Sequence, residues 1–76
     1  MMAERFSVPE LTALRNELVQ GALDSQDAAA MMQLFLVGRG YGVSPEAAVE
    51  AARRVESAGC SLQSIQQELN RIALVQ

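Results

Sequence analysis

The stretch Asp24-Ser25-Gln26-Asp27-Ala28-Ala29-Ala30-Met31-Met32-Gln33-Leu34-Phe35-Leu36-Val37-Gly38 decides the fold. Asp24 is a good helix N-cap, Asp27 stands at the capping-box position, and both carboxylates suit the positive end of the helix dipole. From Ala28 to Val37 only Gln33 is polar, so a helix here is apolar around nearly its whole circumference. Such a helix is normally covered on several sides. It is too short to cross a bilayer, which takes about 20 apolar residues. The run predicts a helix over 25–37 that is central, the most buried element, and ended by Gly38. Leu34 and Phe35 lie in its middle and are expected in the core.

Toward the N-terminus, Phe6-Ser7-Val8-Pro9-Glu10-Leu11 signals a helix start. Ser7 can cap, Glu10 completes a capping box, and Phe6 and Leu11 hold the positions of a hydrophobic staple. Pro9 costs little, because first-turn N–H groups have no helical partner. Val8, Leu11, Leu14 and Leu18 form an apolar stripe over a helix at 8–20. Gly21 is expected to end it in a left-handed conformation. Residues 1–5 precede this signal and are expected to be disordered.

Toward the C-terminus, Gly38-Arg39-Gly40-Tyr41-Gly42-Val43 reads as a loop. Ser44-Pro45-Glu46 then opens a helix at 45–58, with Pro in the first helical position. Ala48, Ala51, Ala52 and Val55 are its inner stripe; Glu46, Glu50, Arg53, Arg54 and Glu56 lie on or near the opposite side. Gly59 ends it, with Val55 and Cys60 at the two touching positions of a Schellman cap. Ser61 caps a last helix at 62–75, striped by Leu62, Ile65, Leu69 and Ile72. The chain thus reads as a single all-α domain over 1–76, a small four-helix fold.

Composition narrows the function classes. Half of the 76 residues are hydrophobic and 20% are charged, too apolar a balance for a disordered chain. Six Arg, no Lys and nine acids give a net charge of −3, unlike a free nucleic-acid binder. There is no His, hence neither the usual general base nor the commonest metal ligand. The single cysteine cannot form an internal disulfide or a CxxC site, so a reducing, cytoplasmic setting is expected. Glu4 and Arg5 interrupt the start of any apolar leader. No cofactor and no metal are expected, since no acidic pair has a ligand-like spacing.

Gly42-Val43-Ser44-Pro45-Glu46 resembles the turn of a helix-turn-helix motif, which implies a DNA-binding transcriptional regulator. Gly38 stands where that family usually has a small Ala, and Glu46 and Glu50 on the would-be recognition helix repel phosphate. Gly40-Tyr41 is similar to the Gly-Phe loop of ubiquitin-associated three-helix domains, although helix three is several residues longer than theirs. The Gly38–Gly42 loop, with Arg39 inside it, also invites an anion. Both known Gly-rich phosphate loops follow a strand, however, whereas this one follows a helix.

The reading favoured by these residues is a non-catalytic protein-interaction module, a small adaptor, regulator or inhibitor. The alternative is a DNA-binding regulator with a degenerate helix-turn-helix. The expected contact residues are Met31, Met32 and Leu36 on helix two, Arg39 and Tyr41 in the loop, and Arg53 and Arg54 on helix three. The partner is another protein or, through the apolar surface of helix two, a second copy. Nucleic acid and membrane are not expected partners.

Overall fold

A computed structural model of the chain describes residues 6–75. The elements in order are α1 (Val8–Gly21), α2 (Ser25–Val37), β1 (Tyr41–Gly42), α3 (Pro45–Ser57), α4 (Leu62–Ile72) and β2 (Leu74–Val75). Residues 1–5, expected to be disordered, lie outside the described residues.

Each helix starts at the cap its sequence announces. Ser7 Oγ accepts from the Glu10 N–H at 3.3 Å and Asp24 Oδ1 from the Asp27 N–H at 3.0 Å. Ser44 Oγ accepts from the Ala47 N–H at 3.2 Å, and Ser61 Oγ from the Ser64 N–H at 3.1 Å. The returning half of the capping box is different. Asp27 Oδ2 accepts from the N–H of Leu23, one residue before the cap, at 3.1 Å. The Glu10 carboxylate leaves its helix altogether and takes Arg39.

Helix ends follow the expected chemistry only in part. At α3 the Gly59 N–H reaches the Glu56 carbonyl and the Cys60 N–H reaches the Val55 carbonyl, a Schellman cap. At α2 the left-handed glycine is Gly40, at φ 85°, not Gly38, which stays right-handed at φ −62°. The chain tightens through Arg39 N–H to Leu36 O and Gly40 N–H to Val37 O before it turns. Gly21 is not left-handed either; α1 ends at an extended Ala22. A Cβ at Gly21 would sit 3.0 Å from Met31 Cε, the far end of a flexible side chain of α2. Helix α4 stops at Ile72, short of the expected 75, and the next residues extend to pair with the loop. Tyr41 stands opposite Val75 and Gly42 opposite Leu74, antiparallel.

Packing closes the four helices into a ring, α1 on α2, α2 on α3, α3 on α4 and α4 back on α1. One core fills it: Phe6, the leucines of α1, Ala29, Met32 and Leu36 of α2, the α3 alanines with Val55, and Ile65, Leu69 and Ile72 of α4. Ala48, Ala51 and Ala52 are each at most 1% exposed. Their small size lets α3 lie close against its neighbours.

The all-α reading holds, but the burial of helix two is one-sided. It forms one wall of the ring, and Leu34 is 73% and Val37 60% exposed. Phe35 is half-buried rather than central. Val8, placed on the α1 stripe by spacing, is 59% exposed. A helix apolar all round has no preferred rotation; its neighbours cover one side of α2 and leave the other to water.

Candidate interaction surface

The residues expected to make contact scatter once folded. Met32 and Leu36 are fully buried at 0% exposure inside the ring, so they hold the domain together and present nothing to a partner. Half-buried Met31 lines a groove between α1 and α2, together with Leu34, Phe35 and Arg39 and, from α1, Glu10 and Glu17. Tyr41 is half-buried, with its ring edge-on to Phe6 at 5.8 Å between centroids. Phe6 also lies against Phe35, its ring tilted by 54° with the centroids 5.4 Å apart, so the three aromatic residues of the chain form one cluster.

Arg39 is a structural clamp. Its Nε donates to Glu10 Oε2 at 2.8 Å, tying the end of α2 to the start of α1. One terminal nitrogen donates to the Phe35 carbonyl at 3.2 Å, satisfying an α2 carbonyl beyond reach of the helix ladder. The guanidinium carbon lies 3.7 Å from the Phe35 ring centroid, within cation–π range. A side chain held by a carboxylate, a carbonyl and a ring is poorly placed to receive an anion in the Gly38–Gly42 loop.

Arg53 and Arg54 are exposed on α3. Glu50 and Arg54 stand four residues apart on α3 without pairing; among the described residues the ion pairs are Arg39–Glu10 and Arg71–Glu68. The pair on α3 therefore stays beside the exposed Glu46, Glu50 and Glu56 as a mixed, solvated face. It lies on a different helix from the α1–α2 groove, so the expected contact residues do not make one surface.

An open apolar side of α2 is expected from the sequence, but the residues that form it are not those expected. Ala30, Leu34 and Val37 are all exposed and recur at i, i+4 and i+7, which aligns them along one helix face. A signal for this was present: Gln26, Asp27 and Gln33 stand three or four positions from Ala30 and so flank it on the helix surface. The sequence also gave no hint that Arg15 Nε donates to the Cys60 carbonyl at 3.1 Å, joining α1 to the α3–α4 turn.

Among the described residues no three His, Cys, Asp or Glu side chains converge as a metal site, and no helix is long and apolar enough to cross a membrane. Comparison with protein-family models, curated proteins and solved structures finds no match.

Proposed function

We propose that the chain is a non-catalytic protein-interaction domain, an adaptor, regulator or inhibitor, and that it binds through the open side of α2. The observation that carries this reading is the uncharged row Ala30, Leu34 and Val37, with Leu34 at 73% exposure. Leaving such side chains in water forgoes burial at about 25 cal/mol per Å². The row is one helix wide, and Ala30 leaves room for a close neighbour. An amphipathic helix of another protein fits it, with an apolar stripe against Leu34 and Val37. Beside the row, Glu17 lines the α1–α2 groove, where it favours a basic residue flanking the partner's stripe. A reducing cytoplasm suits the unpaired Cys60.

The test is quantitative capture from a host extract by four immobilised forms: the parent, Leu34→Glu, Val37→Glu, and Arg53→Glu with Arg54→Glu. The two α2 variants are expected to lose the proteins retained by the parent, while the α3 double variant keeps them. Equal capture by all four overturns the reading. Sedimentation equilibrium of the parent identifies the other occupant of this face: a dimer that Leu34→Glu dissociates assigns it to a second copy.

A further inference from the structure

The groove between α1 and α2 holds a carboxylate that the fold does not use. Glu10, Ala13 and Glu17 follow at i, i+3 and i+7 on α1 and line the groove from that side. Half-buried Met31 and Phe35 line it from α2, and exposed Leu34 stands on its α2 rim. At one end the Glu10 carboxylate is taken by Arg39, whose guanidinium lies 3.7 Å from the Phe35 ring centroid. Glu17 stands about 10 Å further along the axis of α1. It is exposed and has no ion pair or hydrogen bond among the described residues.

We propose that Glu17 and the groove beside it seat one cationic side chain of the partner, so that the α2 row takes a basic amphipathic helix of another protein. The proposal rests on the interaction reading of α2. Arg39 shows the chemistry at the far end of the same groove, where a guanidinium is held between a carboxylate and an apolar side chain. A lysine or arginine entering beside Glu17 finds Ala13 and Met31 for its methylene stem and a carboxylate for its head. Because the groove is open, the new pair stays wet, and charge selects the partner more than it tightens the complex. Leu34 belongs to the apolar row and to the groove rim alike, so a single helix with a basic flank beside its apolar stripe reaches both. A second copy does not offer that combination. Arg15, Arg39 and Arg71 are engaged by the Cys60 carbonyl, Glu10 and Glu68. Exposed Arg53 and Arg54 sit on α3, whose apolar stripe is buried in the ring. The net charge of −3 also sets like against like.

The probes are three synthetic helical peptides about four turns long, each with one leucine and alanine stripe flanked by arginine, glutamine or glutamate. Each is titrated into the whole chain at low and high salt, with amide chemical shifts as the readout. The arginine peptide is expected to bind saturably and at least roughly threefold tighter than the glutamine peptide, a margin that falls toward unity as salt rises. Glu17→Arg changes an exposed side chain and is expected to keep the helix content while reversing the order, so that the glutamate peptide binds best. Absence of saturable binding by the arginine peptide overturns the proposal. So do equal affinities for the three peptides, an order that Glu17→Arg leaves unchanged, or a parent dimer that Leu34→Glu dissociates. Leu34→Gln separates this proposal from the reading it rests on. Equal affinities that Leu34→Gln abolishes leave the row standing and remove Glu17, whereas charge-ordered binding that Leu34→Gln leaves undiminished upholds the Glu17 seat and overturns the row.

Discussion

Leu34 and Leu36 are two positions apart on α2 and face opposite environments. Leu36 is fully buried, so Leu36→Ala should cost about 2–5 kcal/mol through lost transfer energy and a cavity. Leu34→Ala should change stability by no more than about 0.5 kcal/mol, since its side chain is mostly in water. Urea denaturation of the two variants reads the difference directly, and a reversed order would contradict the rotation of α2. Charge sharpens the contrast: Met32→Glu places a carboxylate in the core and should abolish the folded circular dichroism signal, whereas Leu34→Glu should keep it. Gly40 makes a separate case. Its φ of 85° lies where a Cβ meets the following carbonyl oxygen, so Gly40→Ala should destabilise by about 1–2 kcal/mol although nothing surrounds the new methyl. Cys60 carries such a conformation, at φ 56°, without being glycine.

At the scale of elements, Arg39 fastens α2 to α1. Arg39→Ala removes a half-exposed ion pair and a cation–π contact, each worth up to about 1 kcal/mol, and should lower stability by about 1 kcal/mol. A double-mutant cycle with Glu10→Gln should return a coupling below about 1 kcal/mol that shrinks as salt is added. A coupling unaffected by salt would argue against a pair open to solvent. These elements also show what a linear reading can reach. Ser7, Asp24, Ser44 and Ser61 were legible as caps because each bond spans three residues of chain, and the Schellman turn at Gly59 was legible for the same reason. The rotation of α2 was not, because Ala28–Val37 offers apolar surface in every direction and only packing chooses among them. Met32 and Leu36, expected among the contact residues, therefore belong to the core. Arg39–Glu10, Arg15–Cys60 and the Tyr41–Gly42 bridge to Leu74–Val75 join distant positions, and no local pattern encodes them.

For the molecule as a whole, the open α2 face and the closed ring make separable demands. Leu34→Glu combined with Val37→Glu should leave thermal stability within a few degrees of the parent, because neither side chain supports the ring. A large fall in Tm would show that this side is covered within the domain. The ring itself is built mostly from neighbours in the chain: α1 on α2, α2 on α3 and α3 on α4 each pack across one short connection. Between helices, the contact of α1 with α4, reinforced by Arg15 on the Cys60 carbonyl, closes the longest loop, and the pairing of Tyr41–Gly42 with Leu74–Val75 closes another. Contacts between chain neighbours cost the least loop entropy, so they order first and make folding fast. The alanine-lined seam of α2 and α3, the most extensive contact between neighbouring helices, is expected to form early, and the docking of α1 on α4 late. Stopped-flow chevrons should show Ala51→Gly slowing refolding, while Arg15→Ala acts mainly by accelerating unfolding. The bond from Arg15 to the α3–α4 turn would thus act as a latch, setting how long the folded chain lasts rather than how quickly it forms.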